Sequence, residues 1–192
     1  MNRHTLCSLA LVSLLGGSAA AHPGRVASLT LVDSIPPTSA ALAEAMGRMR
    51  ARVGQFQARG LVPGDLPTFA EDGPGLMLAI WPVYFADPRH PGARSLGGAR
   101  VSAATNRACG TALASYDVRP VLAAITAPAL HFIAPVPFGP EMATAMADAI
   151  PGARVALTDA GHLPWIERPA PFFARLAAFL TDRETSTKGQ EP

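Results

Sequence analysis

The feature that most restricts the fold is the run Val26 to Val32 (VASLTLV), rich in β-branched and apolar residues and closed by Asp33 and the pair Pro36-Pro37. Apolar residues on both sides of an extended chain predict a strand buried on both faces, as in a parallel sheet. Such a strand needs further strands beside it and helices on each face.

From Ser39 the period changes. Leu42, Met46, Met49, Val53 and Phe56 recur at spacings of four and three, which places them on one face of a helix, with Ser39 as a candidate N-cap and Gly60 as its stop. Core packing accounts for these methionines without a cofactor. Helical stretches are also predicted from Leu76 to Phe85, interrupted at Pro82, and from Val101 to Tyr116, with Pro/Gly-rich loops between. Residues 39–116 thus read as a helical insertion between core segments 22–38 and 117–181. A second strand is predicted over Ala129 to Ile133, then a helix over Pro140 to Ile150 with Met142, Met146, Ala149 and Ile150 on one face, then a third strand over Arg154 to Thr158. The last helix, Pro171 to Leu180, presents Phe172, Phe173, Leu176, Phe179 and Leu180 for packing. Strand, helix, strand, helix in this order predicts an α/β fold with a short, mainly parallel sheet and right-handed crossovers. The polar tail 182–192 predicts disorder.

The N-terminal residues 1–21 have two readings. Arg3 and His4 precede an apolar run from Leu6 to Leu15, and small residues follow from Ser18 to Ala21, the layout of a secretory signal. The same stretch also reads as a truncated piece of a core helix leading through His22-Pro23-Gly24 into the first strand. The first reading places the chain outside the cytoplasm, the second inside it. The run is too short to span a bilayer.

With 49% hydrophobic residues, 192 residues are enough for one domain with a sizeable core. The net charge of +2 rests almost entirely on scattered arginines, and only Arg48, Arg50 and Arg52 lie close together. No basic stripe tracks a phosphate backbone, so a nucleic-acid partner is not expected. Cys7 and Cys109 stand far apart in sequence, with no C-x-x-C or His/Cys cluster at metal-ligand spacing, so neither a disulfide framework nor a structural zinc is expected.

Three segments, HPGRVASLTLVDS (22–34), YDVRPVLAAITAPAL (116–130) and DAGHLPWIERPAPFFARLAAFL (159–180), resemble the second half of an α/β-hydrolase of the proline iminopeptidase-like branch. The resemblance runs from about residue 22 to 181 and includes the helical insertion, which in that family is the cap over the active site. It implies an incomplete α/β-hydrolase fold with no cofactor, acting on a small peptide or ester substrate.

The resemblance also assigns the catalytic histidine to Gly161-His162-Leu163-Pro164-Trp165, in the loop after the last strand. Histidine suits this role because its ordinary pKa lets it accept and return a proton near neutrality. The relay needs two partners, a nucleophile and an acid that fixes the imidazole. The family's acid follows the strand equivalent to Ala129–Ile133, where this chain has Ala134-Pro135-Val136-Pro137-Phe138 and Val136 stands in the acid's place. Asp159 is the substitute nearest in sequence; its other reading is a solvated strand end. A G-x-S-x-G elbow is absent from the chain, and Ser8, Ser18 and Ser95 occur in contexts that fit a signal, a helix or a loop. Glu71, Asp72 and Asp87 are the cap carboxylates available to a substrate's free amine. Two functions remain: a serine hydrolase or aminopeptidase relying on His162, and a non-catalytic half-domain that associates through exposed sheet edges.

Overall fold

The computed structural model describes residues 19–95 and 102–188. The proposed signal segment lies almost wholly outside the described residues, as do Ser8, Ser18 and most of the Ser95-Leu96-Gly97-Gly98 stretch.

Three strands, β1 (Leu29–Val32), β2 (Ala129–Ile133) and β3 (Arg154–Leu157), form a parallel sheet in the order β1-β2-β3. Leu29 pairs with Ala129 and Val32 with Phe132, and Leu130 pairs with Arg154. Every residue of β2 is buried, as a central strand requires. On one face, Leu29, Leu31 and Ala129 pack with Leu122, Ile125, Met146 and Ile150. On the other, Leu130 and Phe132 pack with Phe172 and Phe179. The predicted α/β architecture is what the chain adopts, with the first strand starting at Leu29 because Pro23–Arg25 form a 3-10 turn.

The helices that accompany the sheet include α1 (Ser39–Ala58), α2 (Phe69–Ile80), α3 (Ala103–Leu113), α4 (Arg119–Leu122), α5 (Pro140–Asp148), α6 (Pro164–Glu167) and α7 (Pro169–Lys188). Thr38, not Ser39, caps α1: its side chain accepts from the Ala41 N–H at 3.3 Å. Both residues carry the required hydroxyl, so sequence alone misplaced the cap by one position. The helix stops at Gly60, whose φ of 67° suits glycine, with Leu61 N–H donating to Phe56 and Gly60 N–H to Gln57. The next predicted helix starts earlier than expected, at Phe69, because Thr68 and Glu71 form a reciprocal capping box.

The segment 39–116 leaves and rejoins the core at a narrow neck. Ser39 N–H donates to Tyr116 O and Val118 N–H to Pro37 O, each at 2.9 Å, while the Tyr116 hydroxyl donates to Pro36 O at 2.6 Å. At the far end, α7 continues past Leu180 to Lys188 where disorder was expected. Arg154 of β3 pairs with Asp182 at 3.1 Å, which ties that extension to the sheet.

Candidate functional site

The site lies beyond the carboxyl ends of the strands. His162 follows β3 in the loop before α6, and its Nδ1 shares a hydrogen bond with Oδ2 of Asp33. Asp33 comes directly after β1, one residue past the Val32–Phe132 pair, and its N–H donates to Phe132 O at 2.9 Å. Its side chain is 2% exposed, against 28% for His162. The second carboxylate oxygen, Oδ1, accepts from the Ala134 N–H at 3.3 Å. An acid so placed has both oxygens engaged and is aimed at one imidazole nitrogen.

Asp33 pays for this aim in its backbone, since its φ of 42° lies in the left-handed region. Aspartate tolerates that region better than most residues. The turn directs the chain away from the sheet while the carboxylate stays over the strand ends, and strain of this kind collects at functional sites.

The imidazole sits between aromatic walls. Tyr84 of the segment 39–116 lies 5.4 Å from it between ring centroids and Phe138 lies 5.3 Å away, nearly perpendicular. Burial pushes the Tyr84 hydroxyl up from its usual pKa. With Nδ1 facing Asp33, the tautomer that donates from Nδ1 leaves Nε2 as the basic nitrogen. Among the described residues, none is hydrogen-bonded to Nε2.

The sequence therefore singled out His162 but not the carboxylate that it meets. Val136 is half-buried in the loop after β2 and supplies no carboxylate. Asp159 is mostly exposed and pairs with Arg168 at 3.3 Å, which excludes it as the imidazole's partner. The signal for Asp33 was present, an aspartate closing a strand buried on both faces, but on a neighbouring strand. Ser34, next in the chain, is hydrogen-bonded to Nε2 of the buried His131 at 3.1 Å, away from His162. The three carboxylates considered for a substrate amine serve the backbone: Glu71 completes its capping box, Asp72 accepts from Gly75 N–H and Asp87 from Arg89 N–H. The two hydrogen bonds from Thr68 hold the Glu71 carboxyl below its usual range. No group of three or more metal-ligating side chains occurs among the described residues. A cavity of about 440 Å³ is lined by Phe132 of β2, Leu157 of β3, and Phe172 and Arg175 of α7 among others, but by neither Asp33 nor His162.

No protein-family model matches the chain, and no curated protein matches it. Solved structures do. It is similar to an enol-lactonase from Burkholderia xenovorans, at 21% identity and a TM-score of 0.56 over 88% of this chain and 62% of that one. A proline iminopeptidase from Mycobacterium smegmatis is similar at 20% identity and a TM-score of 0.55, over 91% of this chain and 64% of that one. The fold is that of the α/β-hydrolases. A thermophilic esterase from Thermogutta terrifontis adds a third case, at 22% identity and a TM-score of 0.52, again over 88% of this chain and 62% of its own. The chain thus spans somewhat less than two thirds of these hydrolases, and its three-stranded sheet is an incomplete form of the α/β-hydrolase fold. Among the described residues no helix is long and apolar enough to cross a membrane.

Proposed function

We propose that this chain carries the acid–base part of a serine-type hydrolase relay, with His162 as general base and Asp33 as the acid that orients it. The observation that carries the reading is the hydrogen bond between Nδ1 of His162 and the buried Asp33 carboxylate. The chemistry needs the imidazole in one tautomer and its charged form stabilised while it holds a proton, and a buried carboxylate on Nδ1 meets both needs. The substrate class is an acyl compound, an ester or a small peptide. Hydrolases acting on lactone, ester and peptide bonds are among the structures of the same fold. The aromatic walls formed by Tyr84 and Phe138 give the acyl side an apolar contact.

A second reading has support in one feature: β1 is half of a buried pairing yet stands at the edge of the sheet, with β2 on one side only. An open edge of this kind invites another strand. In this reading the chain associates with a second copy or with a partner polypeptide and has no activity alone.

Both readings are tested by labelling the purified chain with a fluorophosphonate probe and mapping the site by mass spectrometry. Labelling of one serine that disappears in His162→Ala supports the relay. Absence of labelling in folded protein, together with a mass in solution above that of the monomer, supports the associating half-domain.

A further inference from the structure

Glu167 is a buried carboxylate at the end of α6, 7% exposed, and it bonds to nothing on the imidazole. A buried carboxylate is costly unless its oxygens are fully engaged. Here Oε2 accepts from the Ala86 N–H at 3.1 Å and from the Gly161 N–H, and Oε1 accepts from the Asp87 N–H at 3.0 Å. One side chain thus clasps two distant segments: the residue before His162, and the strap of cap chain that follows the 3-10 turn Trp81–Tyr84.

The strap is held along its whole length. Arg52 of α1 donates from Nε to Val83 O at 3.0 Å and from Nη2 to Phe85 O at 2.8 Å. The carbonyl between them, Tyr84 O, accepts from the His162 N–H at 2.7 Å. Consecutive backbone groups from Val83 to Asp87 are therefore divided among Arg52, His162 and Glu167. Burial and the nearby Arg59 charge lower the Arg52 pKa, and the Glu167 charge acts against that lowering. The strap presses so closely on the loop that a Cβ at Gly161 would stand 2.2 Å from Tyr84 O and 2.7 Å from Ala86 N.

We infer that Glu167 is a positioning residue, which locks the cap strap to the histidine loop and so sets the orientation of the His162 imidazole toward Asp33. The inference rests on the reading of Asp33 and His162 as the acid–base pair. Without the Glu167 carboxylate, the N–H groups of Ala86, Asp87 and Gly161 are left to share at most one side-chain oxygen, the strap lifts, and the main chain of His162 loses the Tyr84 carbonyl that holds it. Displacements of about 1 Å in a catalytic group are enough to cost on the order of a hundredfold in rate.

The test is ¹⁵N NMR of the histidine side chains in wild type, Glu167→Gln and Asp33→Asn, each checked for folding by circular dichroism. Glu167→Gln keeps the shape and removes the charge. It is expected to bring the His162 Nδ1 and Nε2 resonances toward each other, as the single tautomer gives way to a mixture, while the other histidines stay in place. A folded Glu167→Gln with unchanged His162 resonances overturns the inference. If Asp33→Asn moves those resonances and Glu167→Gln does not, only the role of Glu167 fails. If Asp33→Asn leaves them unmoved, the acid–base pairing itself fails. Wild-type hydrogen exchange provides a measurement that does not depend on a folded variant. The amides of Ala86, Asp87, Gly161 and His162 should share one opening event, with protection within about threefold of one another. Strap amides exchanging orders of magnitude faster than Gly161 would overturn the clamp.

Discussion

Asp33 and His162 stand 129 positions apart in the chain, beyond the ends of strands that are not neighbours in the sheet, yet the buried carboxylate of one meets Nδ1 of the other. They meet because parallel strands deliver their carboxyl ends to the same side of the sheet, and two strand spacings amount to roughly 10 Å, within reach of two side chains leaning over β2. The pair anchors the first expectation. Asp33→Asn preserves the shape of the side chain and removes the charge that stabilises an imidazolium. Fluorophosphonate labelling should slow by about 10³- to 10⁴-fold, the loss seen when a triad acid is neutralised. Asp159→Ala, which removes only an exposed partner of Arg168, should label within about twofold of wild type, in keeping with the small effects of exposed pairs.

Gly161→Ala tests the contact between the strap Tyr84–Ala86 and the histidine loop. The added methyl has no room against Tyr84 O and Ala86 N, both backbone atoms that cannot rotate away. Loss of about 1–3 kcal/mol of stability is expected, measured by urea denaturation, from the cost of overpacking a closed site.

Phe132→Ala removes a fully buried ring from the central strand, where it packs 4.6 Å from Phe172 between centroids. The expected cost is about 3–5 kcal/mol, transfer and cavity terms together. A urea midpoint close to wild type would mean that α7 does not close this face of the sheet as described.

The two tyrosines predict a measurable response to alkali. Burial raises the Tyr116 pKa to about 12 and moves Tyr84 in the same direction. An unfolded tyrosine ionises near pH 10. In that window the native state binds more protons than the unfolded state, so the tyrosine contribution to stability is intact below about pH 10 and is lost as pH rises through about 12. Absorbance at 295 nm should show little tyrosinate in native protein at about pH 10.5, and well over half ionised in guanidinium.

Much of this architecture was legible in the residues. The two-sided apolar run at β1 and the amphipathic spacing of α1 each state a local requirement that a single window can express. His162 was singled out through the resemblance of Gly161-His162-Leu163-Pro164-Trp165 to a family loop. Its carboxylate partner was not, because that depends on which strand end lies over the imidazole, a property of the sheet and not of any segment. Val136 occupied the anticipated place, and nothing in the sequence around Asp33 says that its carboxylate crosses β2. Glu167 was invisible for a related reason: its three donors come from two segments that only folding brings together. The extension of α7 to Lys188 escaped a reading by polarity, since a polar helix end held by an ion pair has the same composition as a free tail.

The placement of Asp33 also frees the turn after β2 from chemistry. That turn gives the pair a backbone N–H from Ala134 and an aromatic wall from Phe138, so the residues between them can be lengthened, shortened or replaced while the Asp33 carboxylate stays where it is. Inserting one residue between Val32 and Asp33 would instead rotate the carboxylate to the opposite side of the strand. Drift in the first turn would be tolerated and drift in the second would be purged, which makes the junction of β1 with Asp33 the place where a lineage of such proteins should hold its length constant.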